Sequence, residues 1–372
     1  MPLRIVLCLI AVLAAVEPLQ ACSIPVFRYA LERWAADLFE VSVFYEGPLP
    51  DAQMQRLNQL EDWAVQNGGQ VNLEVVRCDL KGKVPADLRA LWETLPKKTL
   101  PYVVVRSPRE MSGQRLVWQG SLEDAFLDGL SMSPARREIV KRLLRGDSVV
   151  WLMLRGTDNE AADRAKHTLE AACRKLAEEL QLPLGVGKPG SELHSKIPLG
   201  LKFSIVDVAA GAGEERALAT LLEGRMKSAP DDKETIVAPV FGRGRVLEVL
   251  LAKEIDDESV EDLTSYLCGA CSCQVKQQNP GFDLLFATNW EERLFDDNLT
   301  PPTEADADSD ANAEPTLVAI PAGNARATAV IGTSSNAASA TDLSQSSHRS
   351  LWGAVSVFVV LMAFVGVMGL SR

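Results

Sequence analysis

The sequence predicts an α/β protein with two successive domains, a disordered tether and one C-terminal transmembrane helix. Strands rich in β-branched residues alternate with amphipathic helices between residues 39 and 129, and the same order recurs between residues 149 and 267. Both ends of the chain are apolar, and a low-complexity tract precedes the second apolar run. Because the 329 residues between the two apolar ends, 22–350, are too many for one compact hydrophobic core, two domains are expected.

The composition argues against several classes of function. The net charge is −12 and the pI is near 4.9, so the chain repels anionic backbones and nucleic acid is not an expected partner. The three histidines, His167, His194 and His348, are widely spaced, which argues against a zinc hydrolase. The sequence contains no catalytic signature and implies no cofactor, so a protein that is not an enzyme is favoured.

Residues 1–21 have the organisation of a secretory signal peptide. Arg4 precedes an apolar run at residues 5–16, and the small residue Ala21 ends the segment before Cys22. An apolar run of this length is too short to span a bilayer, so cleavage after export is expected.

Residues 19–22 also resemble a bacterial lipobox, in which Cys22 becomes lipidated. Gln20 and the preceding Glu17 are untypical of that motif, and a transmembrane helix already provides firm anchoring. Ordinary signal cleavage is therefore the favoured interpretation, and lipidation of Cys22 is the alternative.

Residues 351–370 form an uncharged apolar run near the end of the chain. At about 1.5 Å rise per residue, a helix of this length crosses the roughly 30 Å hydrocarbon core of a bilayer. Together with the export signal, this run predicts a single-pass protein of the cell membrane whose main body lies outside the cytoplasm, in the periplasm or the extracellular space. The lipid bilayer is thus an expected partner. Because serines precede the run, a cleaved C-terminal sorting tail is the alternative.

The first domain is expected over residues 22–146, and its elements follow from periodicity and breakers. An N-terminal segment with a short helix is expected at residues 22–40. Asp51 can cap the next helix, which the glycines at 68 and 69 end. The pattern predicts strands at residues 41–45, 71–76, 102–105 and 115–118, and helices at residues 52–66, 85–95 and from about Leu122 onward.

One step in this order is distinctive, because Pro101 stands directly before a hydrophobic strand and a turn at Gly120 follows Trp118. Residues 39–129 therefore resemble a thioredoxin-like domain, in which a cis-proline usually occupies the position of Pro101. That family carries a Cys-x-x-Cys motif at the turn after the first strand. Residues 46–49 of this chain, Glu-Gly-Pro-Leu, lack it, so redox catalysis at that turn is excluded.

Residues 132–146 are expected to form a helical connector, the most basic stretch of the chain. Its cations are Arg136, Arg137, Lys141, Arg142 and Arg145. A solvated helix face is the favoured interpretation, and docking onto anionic lipid or an acidic partner is the alternative.

The second domain is expected over residues 147–295 and repeats the order of the first. Strands are predicted at residues 149–154, 201–208, 235–240 and 246–251, and helices at residues 160–180, 214–226 and 259–267. Pro239 is the expected counterpart of Pro101, which makes this half a second thioredoxin-like domain by resemblance. The turn at residues 155–158 again lacks the cysteine pair, and residues 242–244, Gly-Arg-Gly, are expected to form a strand-to-strand turn.

Residues 296–350 are expected to be a disordered tether. This tract has no aromatic residue and is rich in Ala, Ser, Thr, Asn, Pro and acids, so it cannot bury enough apolar surface to fold.

The cysteines Cys268, Cys271 and Cys273 form the one unusual cluster of the sequence. Cys-x-x-Cys is a redox motif, and three thiolates can hold a soft ion such as Cu(I) or zinc. One or two structural disulfides are the favoured interpretation, because no histidine or fourth cysteine lies nearby in the sequence. Cys268 follows a predicted helix, and the C-terminal end of a helix disfavours a thiolate.

Two functions therefore remain open. The first is a membrane-anchored, exported protein whose two redox-inactive thioredoxin-like domains bind a protein partner and assist assembly at the cell envelope. The second is a thiol-disulfide oxidoreductase or a soft-metal-binding protein that uses the cysteine cluster.

Overall fold

The computed structural model describes residues 23–64, 70–96, 99–109, 113–124, 131–210, 213–226, 230–271 and 275–295. The expected signal peptide, Cys22, Cys273, the tether at 296–350 and the apolar run at 351–370 lie outside the described residues. Within the described ranges, no helix has the length and apolar character needed to cross a membrane.

The first half forms a four-stranded sheet. In chain order its elements are α1 (Val26–Arg33), β1 (Phe39–Tyr45), α2 (Asp51–Trp63), β2 (Leu73–Asp79), α3 (Ala86–Thr94), β3 (Tyr102–Arg106), β4 (Leu116–Ser121) and α4 (Pro134–Leu143). The strand order is β2-β1-β3-β4. Strand β1 runs parallel to β2 and antiparallel to β3, and β4 is antiparallel to β3.

The second half forms a separate sheet with the same central order. Its elements are β5 (Val149–Arg155), α5 (Asn159–Glu179), β6 (Phe203–Ala209), α6 (Arg216–Glu223), β7 (Ile236–Phe241), β8 (Arg245–Val246), β9 (Leu250–Leu251), α7 (Asp257–Cys268), β10 (Phe282–Asp283) and α8 (Trp290–Leu294). The strand order is β10-β8-β7-β5-β6, and β9 also pairs with β7. The β6-β5-β7-β8 part repeats the parallel and antiparallel pairings of the first sheet. The chain is therefore a mixed α/β protein with two sheets, compatible with tandem thioredoxin-like domains.

The two prolines expected to be equivalent differ in structure. The Leu100–Pro101 peptide bond is cis, and Pro101 directly precedes β3. Pro239 is instead the fourth residue of β7, opposite Trp151, and no other cis peptide bond occurs in the described ranges. The strand registers identify a different counterpart: Phe44 pairs with Tyr102 and Leu154 pairs with Ile236, so Thr235 occupies the position of Pro101.

Three apolar clusters hold the described residues together, and one of them includes a face of each sheet. Alternate residues of β1 and of β5, such as Val41 and Leu152, pack in this shared cluster with α2, α4 and α6. A second cluster covers the other face of the second sheet with α5, α7 and the N-terminal helix α1. A third, smaller cluster covers the other face of the first sheet with α3. The described residues belong to one compact unit, and the boundary near Asp147 stays a prediction.

The basic connector differs from the expected solvated helix. Its apolar face is buried, and Arg136 is 0% exposed on that face. Arg136 Nε donates to Leu285 O at 2.9 Å, and Nη1 donates to Ser133 Oγ at 3.2 Å. Burial, opposed by the charge of Glu215, lowers the pKa of Arg136 to about 10. Of the five cations of the connector, Arg137, Lys141 and Arg145 are exposed. The basic composition alone could not show that Arg136 lies on the buried face.

Candidate functional site

The candidate site is a cavity of about 490 Å³ at the edge of the second sheet where β5 and β6 end and β7 begins. Ligands of open α/β sheets bind at the carboxyl ends of the parallel strands, and this volume suits a few side chains. The cavity is lined by Arg155, Gly156, Thr157, Ala209, Ala210, Arg216, Ala219, Thr220, Glu223, Pro230, Asp231, Asp232, Glu234 and Ile236.

The turn after β5 forms a fixed wall of this cavity. Thr157 N donates to Asp232 O at 3.0 Å, and Gly156 N donates to the buried Thr235 Oγ1 at 3.1 Å. A Cβ on Gly156 would lie 2.4 Å from Lys233 O, so only glycine permits this close approach. The turn that lacks cysteines is therefore bonded to the segment that carries Thr235, the counterpart of Pro101.

The charged side chains around the cavity fall into two groups. Arg155 donates to Asp207 at 2.6 and 2.9 Å and to Asp163 at 2.7 Å, and these hydrogen bonds raise its pKa. Glu234 accepts from Lys253. Both charges are thus already paired.

The second group is formed by Arg216 and Glu223, at opposite ends of α6, and by the exposed Asp231 and Asp232. None of these four side chains has an ion-pair partner among the described residues. The cavity therefore offers available charges of both signs beside a wall of alanines, an arrangement suited to binding a polar chain.

The cysteine cluster lies away from the cavity, on the face of the second sheet that α1, α5 and α7 cover. Cys268 is the last residue of α7 and is 2% exposed, and burial raises its pKa to about 12. Cys271 is also buried, and Cys273 lies outside the described residues. No disulfide joins two of the described cysteines, and no group of three or more metal-ligating side chains occurs among the described residues.

The segment after the expected cleavage site pairs with this cluster. Val26 N donates to Gly269 O at 3.0 Å, and Cys271 N donates to Ile24 O at 2.9 Å. Pro25 thereby faces Ala270 in an antiparallel bridge. The N-terminal segment thus closes over the loop that contains the cysteines.

The sequence pattern predicts no functional residue at the cavity. Residues 155–158 are distinctive only because they lack cysteines, and Thr235, Ala209 and Arg216 belong to no recognisable motif. The available signal was positional, since residues 155–158 follow the first strand of a repeated α/β unit. The residues that α6 contributes to the cavity could not be predicted. Their spacing shows that they share one face of the helix, but it does not show that this face lies at the edge of the sheet.

Comparisons with known proteins add little to this geometry. No protein-family model and no curated protein matches the chain. Among solved structures, the chain is similar to the first two thioredoxin domains of Eps1p from Naumovozyma dairenensis, with 11% identity, 68% of this chain and 97% of that chain covered, and a TM-score of 0.21. At that score the likeness supports no further conclusion.

Proposed function

We propose that the protein is a non-catalytic binding module in which the second thioredoxin-like half binds an extended polypeptide segment of a protein partner. The observation that carries the proposal is the cavity at the turn of residues 155–158. It lies where a thioredoxin-like domain would carry its cysteine pair, and here it offers glycine, threonine and alanine with unpaired charges of both signs. Such a surface suits the mixed polar and apolar groups of a peptide.

The location of the protein is part of the proposal. The signal-like residues 1–21 and the apolar run at 351–370 support a single-pass membrane protein whose body lies outside the cytoplasm. In that setting the two domains assist the assembly of a complex at the cell envelope. Lipidation of Cys22 would be a second anchor.

A peptide array tests the binding function. We expect the full chain, purified in detergent, to bind a subset of immobilised peptides. Ala209→Trp should abolish most of this binding, because Ala209 is an exposed residue of the cavity wall and a bulky indole fills the space. Ala171→Trp is the matched control, since Ala171 is exposed on α5 and does not line the cavity. Failure of the wild type to bind any peptide, or identical binding by the two variants, contradicts the proposal.

The alternative function, redox or soft-metal chemistry at the cysteine cluster, has less support. A reactive thiol needs a lowered pKa and access to its substrate. Cys268 has a raised pKa, lies at the C-terminal end of α7 and is buried.

We therefore expect Cys268 to react with a maleimide only after the protein is unfolded in urea. Peptide mapping by mass spectrometry measures this labelling, and insulin reduction and copper binding are assayed in parallel. The same map reports the state of Cys22 and Cys273, which lie outside the described residues. Rapid labelling of native Cys268 together with insulin reduction would favour the alternative function.

A further inference from the structure

Two arginines from different parts of the chain meet beside the carboxyl end of α6. Arg115 precedes β4, and Arg225 directly follows Gly224, the C-cap of α6. Arg115 Cδ lies 3.2 Å from the position that a Cβ on Gly224 would occupy. The side chain of Arg115 therefore crosses the backbone of the residue next to Arg225.

Contacts hold the backbone of Arg115 and the side chain of Arg225, and they leave both charged groups available. The backbone N of Arg115 donates to Oγ of the buried Ser107 at 2.9 Å, and Ser107 N donates to Arg115 O at 2.9 Å. The guanidinium of Arg225 stacks on the ring of the buried Phe282, with Cζ 5.0 Å from the ring centroid. Arg115 is exposed and Arg225 is half-buried, so both cations are accessible from solvent.

Neither guanidinium donates a hydrogen bond or forms an ion pair with another described residue. Glu223, two residues before Arg225 in the sequence, lines the cavity. The partial negative charge at the end of α6 favours one cation, but it equals only about half an elementary charge. Burial and the positive charge of Arg115 both lower the pKa of Arg225.

We propose that Arg115 and Arg225 form a binding site for a phosphate-type oxyanion. A tetrahedral oxyanion can accept hydrogen bonds from both planar guanidinium groups and neutralise their repulsion, which a lysine pair would do with less geometric fit. The site is separate from the cavity, so the proposal stands or fails independently of the peptide-binding function.

Calorimetric titration of the full chain with inorganic phosphate tests the site, with ionic strength held constant by potassium chloride. We expect saturable binding to the wild type. Arg115→Gln and Arg225→Gln should each weaken it by at least about tenfold, because each removes a charge-assisted hydrogen-bonding group. Arg145→Gln, a substitution of an exposed arginine on the surface near α4, is the control and should bind phosphate like the wild type.

Thermal melting provides a second readout that a purely structural role would not give. In phosphate-free buffer Arg115→Gln should melt no lower than the wild type, because it removes repulsion, whereas phosphate should raise the melting temperature of the wild type and not of this variant. Acetate should have little effect on any variant. The proposal is overturned if acetate and phosphate change the melting temperature of the wild type equally, or if Arg115→Gln melts clearly lower than the wild type without phosphate. It is also overturned if Arg115→Gln and Arg225→Gln each bind phosphate as the wild type does.

Discussion

Replacing Glu32 by alanine is expected to lower the free energy of unfolding by about 3–5 kcal/mol, because it leaves a buried arginine without its counter-charge. Glu32 is 0% exposed and accepts a hydrogen bond from Arg28 Nε at 2.6 Å. Its carboxylate also accepts from the backbone N of His194 at 3.1 Å and of Ser195 at 3.0 Å. Arg28 in turn donates to the carbonyl oxygens of Ser195 and Ile197 at 2.9 and 2.8 Å.

This network binds α1 to the long loop between α5 and β6. Its loss leaves two backbone N–H groups without their acceptor and the buried Arg28 guanidinium without its counter-charge, which costs more than the loss of a solvated pair. Urea unfolding followed by tryptophan fluorescence measures the effect, because Trp34 and Trp151 are buried in the cluster that contains α1.

The matched control is Glu61→Ala. Glu61 is likewise paired with an arginine and accepts hydrogen bonds from Arg77 Nε at 2.6 Å and Nη2 at 2.5 Å, but this pair lies at the surface. Surface ion pairs contribute about 0–1 kcal/mol, so the control should change stability little. Equal effects of the two substitutions would show that the buried network does not stabilise the position of α1.

The sequence predicted the four strands of the first sheet and the strands β5, β6 and β7 of the second, because they are rich in β-branched residues and bounded by breakers. It did not predict the two-residue strand β10. It did not predict that α1 packs on the second sheet. An amphipathic pattern shows that Val26 and Phe27 lie on a buried face, but it cannot show which sheet that face covers. The buried carboxylate of Glu32 was equally hidden, since its partners at residues 194 and 195 are distant in sequence.

The different position of Pro239 has a local cause. The expected strand at residues 246–251 is two short strands, β8 and β9, interrupted at residues 247–249. β8 pairs with the last two residues of β7 and β9 with the first two, so Ala238 and Pro239 face the interruption. Proline lacks an N–H and is tolerated in a sheet at such a break. The proline of the Ala-Pro-Val sequence therefore lies where β7 has no partner residue in β8 or β9, and not directly before a strand.

The expected strand-to-strand turn at residues 242–244 is confirmed, and it has a consequence for stability. Gly244 has φ +94°, and a Cβ there would lie 2.1 Å from Cε2 of Phe286. Phe286 is 1% exposed and cannot move outward freely, because its backbone N donates to Asn72 Oδ1 at 2.8 Å. Leu284 N also donates to Gly244 O at 3.0 Å. The turn of the second sheet thus packs tightly on a segment that is bonded to the first half.

We expect Gly244→Ala to lower the free energy of unfolding by about 2–5 kcal/mol. A left-handed backbone costs an alanine roughly 1–2 kcal/mol, and forcing a methyl group into a packed ring adds about 1–3 kcal/mol. Urea denaturation measures the change in the midpoint and in the free energy.

Two further substitutions separate these causes. Gly200→Ala adds a methyl group with no atom within 4 Å and no positive φ, so it should leave stability unchanged or slightly higher. Gly113→Ala has φ +76° and equally free space, so it should show the backbone cost alone. If Gly244→Ala costs no more than Gly113→Ala, the ring of Phe286 is not confined. If it costs clearly more, the double variant Gly244→Ala/Phe286→Leu should recover part of the loss, because the smaller side chain vacates the space that the new methyl group needs.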